Sequence, residues 1–210
     1  MTARSRQSFE NLPGEIPIFP LRGVLLLPGG QLPLNIFEPR YIAMVDAAVS
    51  SHRLIGMIQP DDAGTLYKVG CAGRISSYNE TDDGRYEIVL SGICRFRVEE
   101  ELAQMHGYRR ARASWTEFSR DLEQMSCLDM DRTKLKSLLK NYFKKQNLTC
   151  SWEAVDMASD EKLITTLAMI CPLDHQEKQA LLEAPCCKER AQLFMTMLEM
   201  ECTGDCGCAH

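Results

Sequence analysis

No apolar run in this chain approaches the ~18 residues that a membrane-spanning helix needs; stretches such as Val24–Leu27 are far shorter. The polar opening, Met1–Asn11, carries Arg4 and Arg6 but no apolar core of a secretory signal. Both absences lead to the expectation of a cytoplasmic protein with no membrane partner. Positive charge is in short supply as well: 24 Lys and Arg stand against 29 Asp and Glu, a net charge of −5. That balance disfavours non-specific binding to nucleic acid or anionic lipid, which select basic surfaces. Aromatics make up only 7% of the chain, with 2 tryptophans, too sparse for a row of base-stacking platforms. Catalytic signatures are missing too. There is no Gly-x-x-x-x-Gly-Lys-[Ser/Thr] loop, no Gly-x-Ser-x-Gly elbow and no His-Glu-x-x-His. Of the 4 histidines, His52 sits near a helix end, His106 in a loop and His175 in a capping segment, and all three read as surface residues.

What the chain does have is a stretch from Pro17 to Tyr41 with five prolines and three glycines set among large apolar residues. A long helix cannot hold them, because each interior proline removes a donor and clashes with the turn before it. A central strand tolerates them poorly. Two short strands fit, near Ile18–Leu21 and Leu32–Ile36, joined by a rigid loop at Pro28, Gly29 and Gly30. Apolar residues on both sides of the breaks point to a buried, sharply cornered sheet, as in a small closed barrel.

The rest follows in order. Pro39 suits the first turn of a helix that runs to about Ser50, with Ile42, Val45, Ala48 and Val49 at helical spacing. Strands are expected at 54–59, 66–79, 85–90 and 108–115. A hairpin is expected at Asp83-Gly84, which would supply the positive-φ positions, and a bend at Gly92. Phe96 and Val98 alternate with Arg95 and Arg97. The acidic stretch 118–128 reads as a linker. Beyond it the apolar period becomes 3.6, with helices started by Asp129 or Asp131, by Ser151, by Ser159 or Asp160, and by Asp174 in a capping box with Glu177. The fold class is therefore α+β. Residues 1–15 form a leader, 16–117 a β pseudobarrel with one early helix, 118–128 a linker, 129–201 a helical bundle and 202–210 a cysteine-rich tail.

Four motifs in this order resemble the N-terminal substrate-binding domain of the Lon protease. They are Pro20-Leu-Arg22 leading to Leu32-Pro-Leu-Asn-Ile-Phe-Glu-Pro-Arg-Tyr41; Val69-Gly-Cys-Ala-Gly-Arg-Ile75; Val89-Leu-Ser-Gly-Ile-Cys-Arg-Phe-Arg97; and Gln179-Ala-Leu-Leu-Glu-Ala-Pro185 followed by Arg190-Ala-Gln-Leu. The last is similar to the helical tail of stand-alone bacterial members. The resemblance covers roughly Ile16 to Glu201 and implies a PUA-like pseudobarrel. It also implies the recognition part of a proteolytic machine without the ATPase or the Ser–Lys protease, and so a non-enzymatic module in protein quality control. The expected partners are client proteins, unfolded or specific, with weak self-association as a further option.

The positions matching the family's binding region are Phe37, Glu38, Arg40 and Tyr41. A structural role competes there, with Phe37 and Tyr41 in the core and Glu38 and Arg40 as a paired face. The alternative function is RNA binding, by likeness to RNA-binding pseudobarrels, through Arg95, Arg97, Arg109, Arg110 and Arg112. Acidic neighbours Glu99, Glu100 and Glu101 favour a solvated sheet face instead. No cofactor is expected in the body of the chain. In the tail, Cys202, Cys206, Cys208 and His210 offer three thiolates and an imidazole, a donor set suited to tetrahedral Zn²⁺. The chain has 10 cysteines in an expected reducing compartment, so a disulfide framework is not expected. Cys71, Cys94 and Cys171 lie in apolar segments and read as small buried residues.

Overall fold

The proline-punctuated stretch folds as two short strands, β1 (Glu15–Pro20) and β2 (Gln31–Ile36). The structure is a computed structural model, and residues 12–123 and 130–203 of it are described. Pro39 opens α1 (Pro39–Val49), where its missing N–H costs nothing because the first turn has no acceptor for it. The sheet continues with β3 (Leu54–Ile58), β4 (Val69–Glu80), β5 (Tyr86–Met105) and β6 (Tyr108–Ser114).

The strand order is β2-β5-β4-β3-β1-β6, with β6 also paired to β5. Only β1 and β3 run parallel, and β2 and α1 form the crossover that a parallel pair requires. At 20 residues, β5 is long enough to serve three neighbours. Its Tyr86–Arg97 part pairs with β4, while the opposite edge holds β2 along Tyr86–Ser91 and β6 from Arg97 onward. The sheet therefore curls into a partial ring rather than the closed barrel suggested by the proline breaks, and β2 is left at its end. The 85–90 strand and the Phe96 strand are one element. A register shift opposite Ala72 and Gly73 places an extra residue, Ile93, in β5 and supplies the bend.

At the Asp83-Gly84 hairpin only Gly84 has a positive φ, of 78°. Asp83 instead accepts a 2.6 Å hydrogen bond from the Thr81 hydroxyl. The acidic stretch read as a linker begins as a 3₁₀ helix, Thr116–Leu122, with Phe118 buried. Residues 124–129, and with them Asp129, lie outside the described part.

Helices follow as the apolar period demands: α2 (Arg132–Lys145), α3 (Trp152–Met157), α4 (Asp160–Ile170), α5 (His175–Glu183) and α6 (Cys187–Thr203). Asp131, Ser151 and Ser159 cap the first three, each accepting from a backbone N–H of the first turn. Asp174 and Glu177 close a reciprocal capping box at 2.7 and 2.9 Å. The stripes Leu135, Leu139, Tyr142 and Phe143, then Leu163, Ile164, Leu167 and Ala168, then Ala191, Phe194 and Leu198 are buried. They join the strand residues in one apolar cluster.

The contact of α5 with the sheet is polar. Among the described residues six polar side chains are buried, Gln59, Arg95, Thr165, Lys178, Gln179 and Arg190, and all but Thr165 gather around α5. Gln59 donates to Gln179 Oε1 at 3.2 Å and to the His175 carbonyl at 3.1 Å. Gln179 donates to the Val69 carbonyl, and the Lys178 ammonium donates to the Gly23 carbonyl at 2.8 Å. Arg95 alternates with Phe96 as the sequence suggests, yet is only 4% exposed. Its face of β5 is covered by the 3₁₀ helix and the end of α5. Its guanidinium pairs with Asp121 at 2.8 Å and donates to the carbonyls of Leu182, Ala184 and Pro185. Arg190 donates to the Leu181 carbonyl at 2.8 Å. Two guanidiniums thus hold the carbonyl end of α5, where helix carbonyls lack intrahelical donors. Among the described residues no buried side-chain nitrogen or oxygen is left without a partner, so the network fixes one docking geometry.

Candidate functional site

The four residues singled out at the start of α1 fall into two groups. Tyr41 is 8% exposed and stacks on Phe19 with ring centroids 4.1 Å apart, which seats the helix on the sheet. Burial raises its hydroxyl pKa, partly offset by the Arg40 charge. Phe37 is the opposite case: the residue is 63% exposed. Between them Glu38 and Arg40 form an ion pair at 2.7 Å, and the Arg40 guanidinium lies 4.5 Å over the Tyr41 ring. Tyr41 is thus a core residue and Glu38 is paired with Arg40, whereas Phe37 is not a core residue.

A neighbour that sequence reasoning missed is the β5–β6 turn. His106 and Gly107 both adopt positive φ, 49° and 84°, as a tight two-residue hairpin requires. A Cβ on Gly107 would stand 3.3 Å from the Arg40 Cβ, so the turn lies against Arg40. It presents Met105, 39% exposed, whose sulfur accepts from the Tyr108 hydroxyl at 3.1 Å. The signal for it was faint: a methionine beside a His-Gly pair after an acidic run.

The arginines of the RNA alternative do not form an open basic row. Arg97 pairs with Glu117, Arg109 with Glu101, Arg110 with Glu15, Arg112 with Glu100, and Arg95 is buried on Asp121. The Arg97 guanidinium in turn holds the Glu117 carboxyl below its usual range. His175 is not the surface residue expected: its side chain is only 12% exposed, packed at the start of α5 with Nε2 3.4 Å from Asp62, which also pairs with Arg22.

A concavity of about 580 Å³ lies between the Pro28–Gln31 loop and one face of α4. Ser159, Lys162, Thr165, Met169 and Ile170 line its helical side. The Met169 side chain rests on Gly30, and Ile170 is 66% exposed.

Among the described residues no group of three or more His, Cys, Asp or Glu could hold a metal ion. Cys206, Cys208 and His210 of the expected Zn²⁺ set lie outside the described residues, as does the side chain of Cys202. Cys71, Cys94 and Cys171 are buried and unpaired. Burial pushes the Cys94 and Cys171 thiols up to about 12 and raises Cys71 as well. The thiolate is the reactive form. Iodoacetamide at pH 8 is therefore expected to leave all three unmodified in folded protein and to alkylate them in urea. Peptide mass mapping checks this, and native labelling at any of the three would contradict it.

A model of the substrate-binding domain of ATP-dependent protease La (LON) matches residues 15–200. The chain belongs to the Lon substrate-binding domain family. Among curated relatives, Lon protease 2 of Myxococcus xanthus is 28% identical over 198 residues, covering 90% of this chain and 24% of the relative. The Lon protease of Escherichia coli K12 is 26% identical over 199 residues, covering 89% of this chain and 25% of that protein. The chain thus spans about a quarter of the length of these relatives.

The fold is shared with solved structures of Lon N-terminal domains. The Lon N-terminal domain protein from Xanthomonas campestris has a TM-score of 0.62 at 22% identity, covering 87% of this chain and 97% of its own. The N-terminal domain of a Mycobacterium avium complex Lon protease has a TM-score of 0.60 at 19% identity, covering 92% and 100%. In this family member the matched part is the substrate-binding module, not the catalytic one. Among the described residues no helix is long and apolar enough to cross a membrane.

Proposed function

We propose that this Lon-family chain is a non-enzymatic recognition module that holds unfolded or specific client proteins in cytoplasmic quality control. The start of α1 is its contact surface. The observation that carries the proposal is the exposed Phe37 ring beside a Glu38–Arg40 pair that already satisfies its own charges. A large ring kept in water gains about 1.5–3 kcal/mol when a client's apolar segment covers it. The neighbouring charges need not be stripped of their partners when it does. Aromatic rings that a partner can cover, set among polar groups, are where binding energy concentrates in protein contacts. Met105, on the turn next to Arg40, is a second exposed apolar side chain on this part of the surface.

Phe37 makes little contact with the rest of the fold, so Phe37→Asp should leave stability unchanged. Titration calorimetry with reduced, carboxymethylated α-lactalbumin should detect binding without ATP. Phe37→Asp should weaken that binding about tenfold or more, with an unaltered urea midpoint. Equal affinity of the two proteins would remove this surface from the proposal. No binding of any denatured client would remove the function.

A further inference from the structure

We propose that β2 takes up an extended polypeptide segment as an added strand, anchored by Phe37 at one end and by the Ile170 cleft at the other. This deepens the client-binding function and rests on it. β2 stands at the end of the strand order and pairs only with β5 among the described strands. Its outer edge is therefore a row of backbone donors and acceptors without a strand partner, and the occupant that matches such a row is another extended chain.

The two ends of this edge are apolar. Phe37 directly follows Ile36, the last residue of β2. Gln31, the first residue of β2, is also a wall of the cleft that contains Met169 and the exposed Ile170. Six residues at ~3.3 Å each put these anchors about 20 Å apart. Between them Leu32 and Leu34 are half-buried, leaving apolar surface for alternate side chains of an added strand. Glu161 and Lys162 bring both charge signs to the cleft, so no charged occupant is favoured. The segment recognised is then extended and uncharged, with two large apolar residues about six positions apart. Unfolded chains expose such segments, and folded ones bury them.

Pro33 lies in the middle of β2 and has no N–H. Two copies of β2 paired edge to edge would bring that gap twice, once from each strand. A foreign segment with its full set of amides meets it once. Proline on an edge strand works against self-pairing in this way. The occupant is accordingly a client segment, not a second copy of this chain.

The test uses a fluorescein-labelled synthetic dodecapeptide with phenylalanine at its third and ninth positions and alternating threonine and serine elsewhere. Binding to the full chain is read by anisotropy. Two further peptides carry N-methyl groups on alternate amides, one in each register, which removes hydrogen bonds without changing side chains. One methylated register should lose about tenfold or more in affinity while the other binds like the parent. Ile170→Asp and Phe37→Asp, both at exposed positions, should each weaken the parent peptide about tenfold.

If both methylated peptides bind like the parent, strand addition is overturned, while loss of binding on Phe37→Asp would still support the α1 surface. Parent peptide that fails to bind when denatured α-lactalbumin does bind would likewise overturn strand addition alone. A dimer in sedimentation equilibrium that the peptide dissociates would put a second copy on the edge and overturn the assignment of a client.

Discussion

Replacing Arg95 by alanine is expected to cost about 3–5 kcal/mol of folding stability, the usual effect of removing one partner of a buried ion pair. Asp121, whose side chain is only 9% exposed, would lose its ion-pair partner and keep only the through-space field of Arg190. The carbonyls of Leu182, Ala184 and Pro185 would lose their donor at the same time. An unmet buried acceptor costs its full desolvation penalty. The damage should be directional. Because Arg95 ties the end of α5 to β5 and to the 3₁₀ helix, hydrogen exchange should quicken in 175–183 before it does in α2. Combining Arg95→Met with Asp121→Leu should recover most of the loss, because the pair itself returns little net energy against well-packed apolar groups. Urea unfolding of the three variants measures this. A loss under about 1 kcal/mol for Arg95→Ala would show that the clasp is not structural.

Gly92→Ala should be the second large effect, at about 3 kcal/mol, the upper end for a group forced into a packed interior. Its φ is not in the left-handed region, so the position does not need glycine for backbone freedom. Space is the reason: the Leu27 carbonyl occupies the place where a Cβ would go, and it is backbone that cannot swing aside. Two hydrogen bonds fix this approach, Gly29 N–H to the Gly92 carbonyl at 3.0 Å and Gly92 N–H to the Gly30 carbonyl at 2.9 Å. The substitution should therefore also move the Pro28–Gln31 loop and the cleft beside it. Gly84→Ala is the control. Gly84 has a φ of 78° but nothing within 4 Å of a new Cβ, so the cost should be only about 1 kcal/mol. Thermal denaturation of both variants gives the ordering, and a larger loss at Gly84 than at Gly92 would contradict the steric account.

The elements were legible where chemistry is local. Pro39 and the spacing of Ile42, Val45, Ala48 and Val49 define α1 without help from the rest of the fold, though of these only Val45 and Ala48 are buried, beside Tyr41 and Met44. Asp131, Ser151, Ser159 and Asp174 cap helices because their side chains reach backbone N–H groups three residues on. The buried cysteines could be told from their apolar neighbours. Other expectations failed for non-local reasons. The alternation around Phe96 correctly put Arg95 on the outer face of β5, but nothing nearby in the chain says that a helix about ninety residues later covers that face. The 118–128 stretch looks polar, yet Phe118 is buried and Asp121 answers Arg95. Phe37 and Tyr41 belong to one short motif, and only packing against Phe19 separates a core ring from an exposed one.

By itself, the sequence determined most of the strand and helix segments, the caps of four helices and, through four ordered motifs, the family. Periodicity, capping and proline placement act over a few residues, so they can be read from a single chain. Tertiary structure decided how far the sheet closes, which strand edge stays open, which arginines are buried and which aromatic ring faces water. Those outcomes depend on what arrives from distant parts of the chain, and burial belongs to the assembled fold rather than to any residue alone.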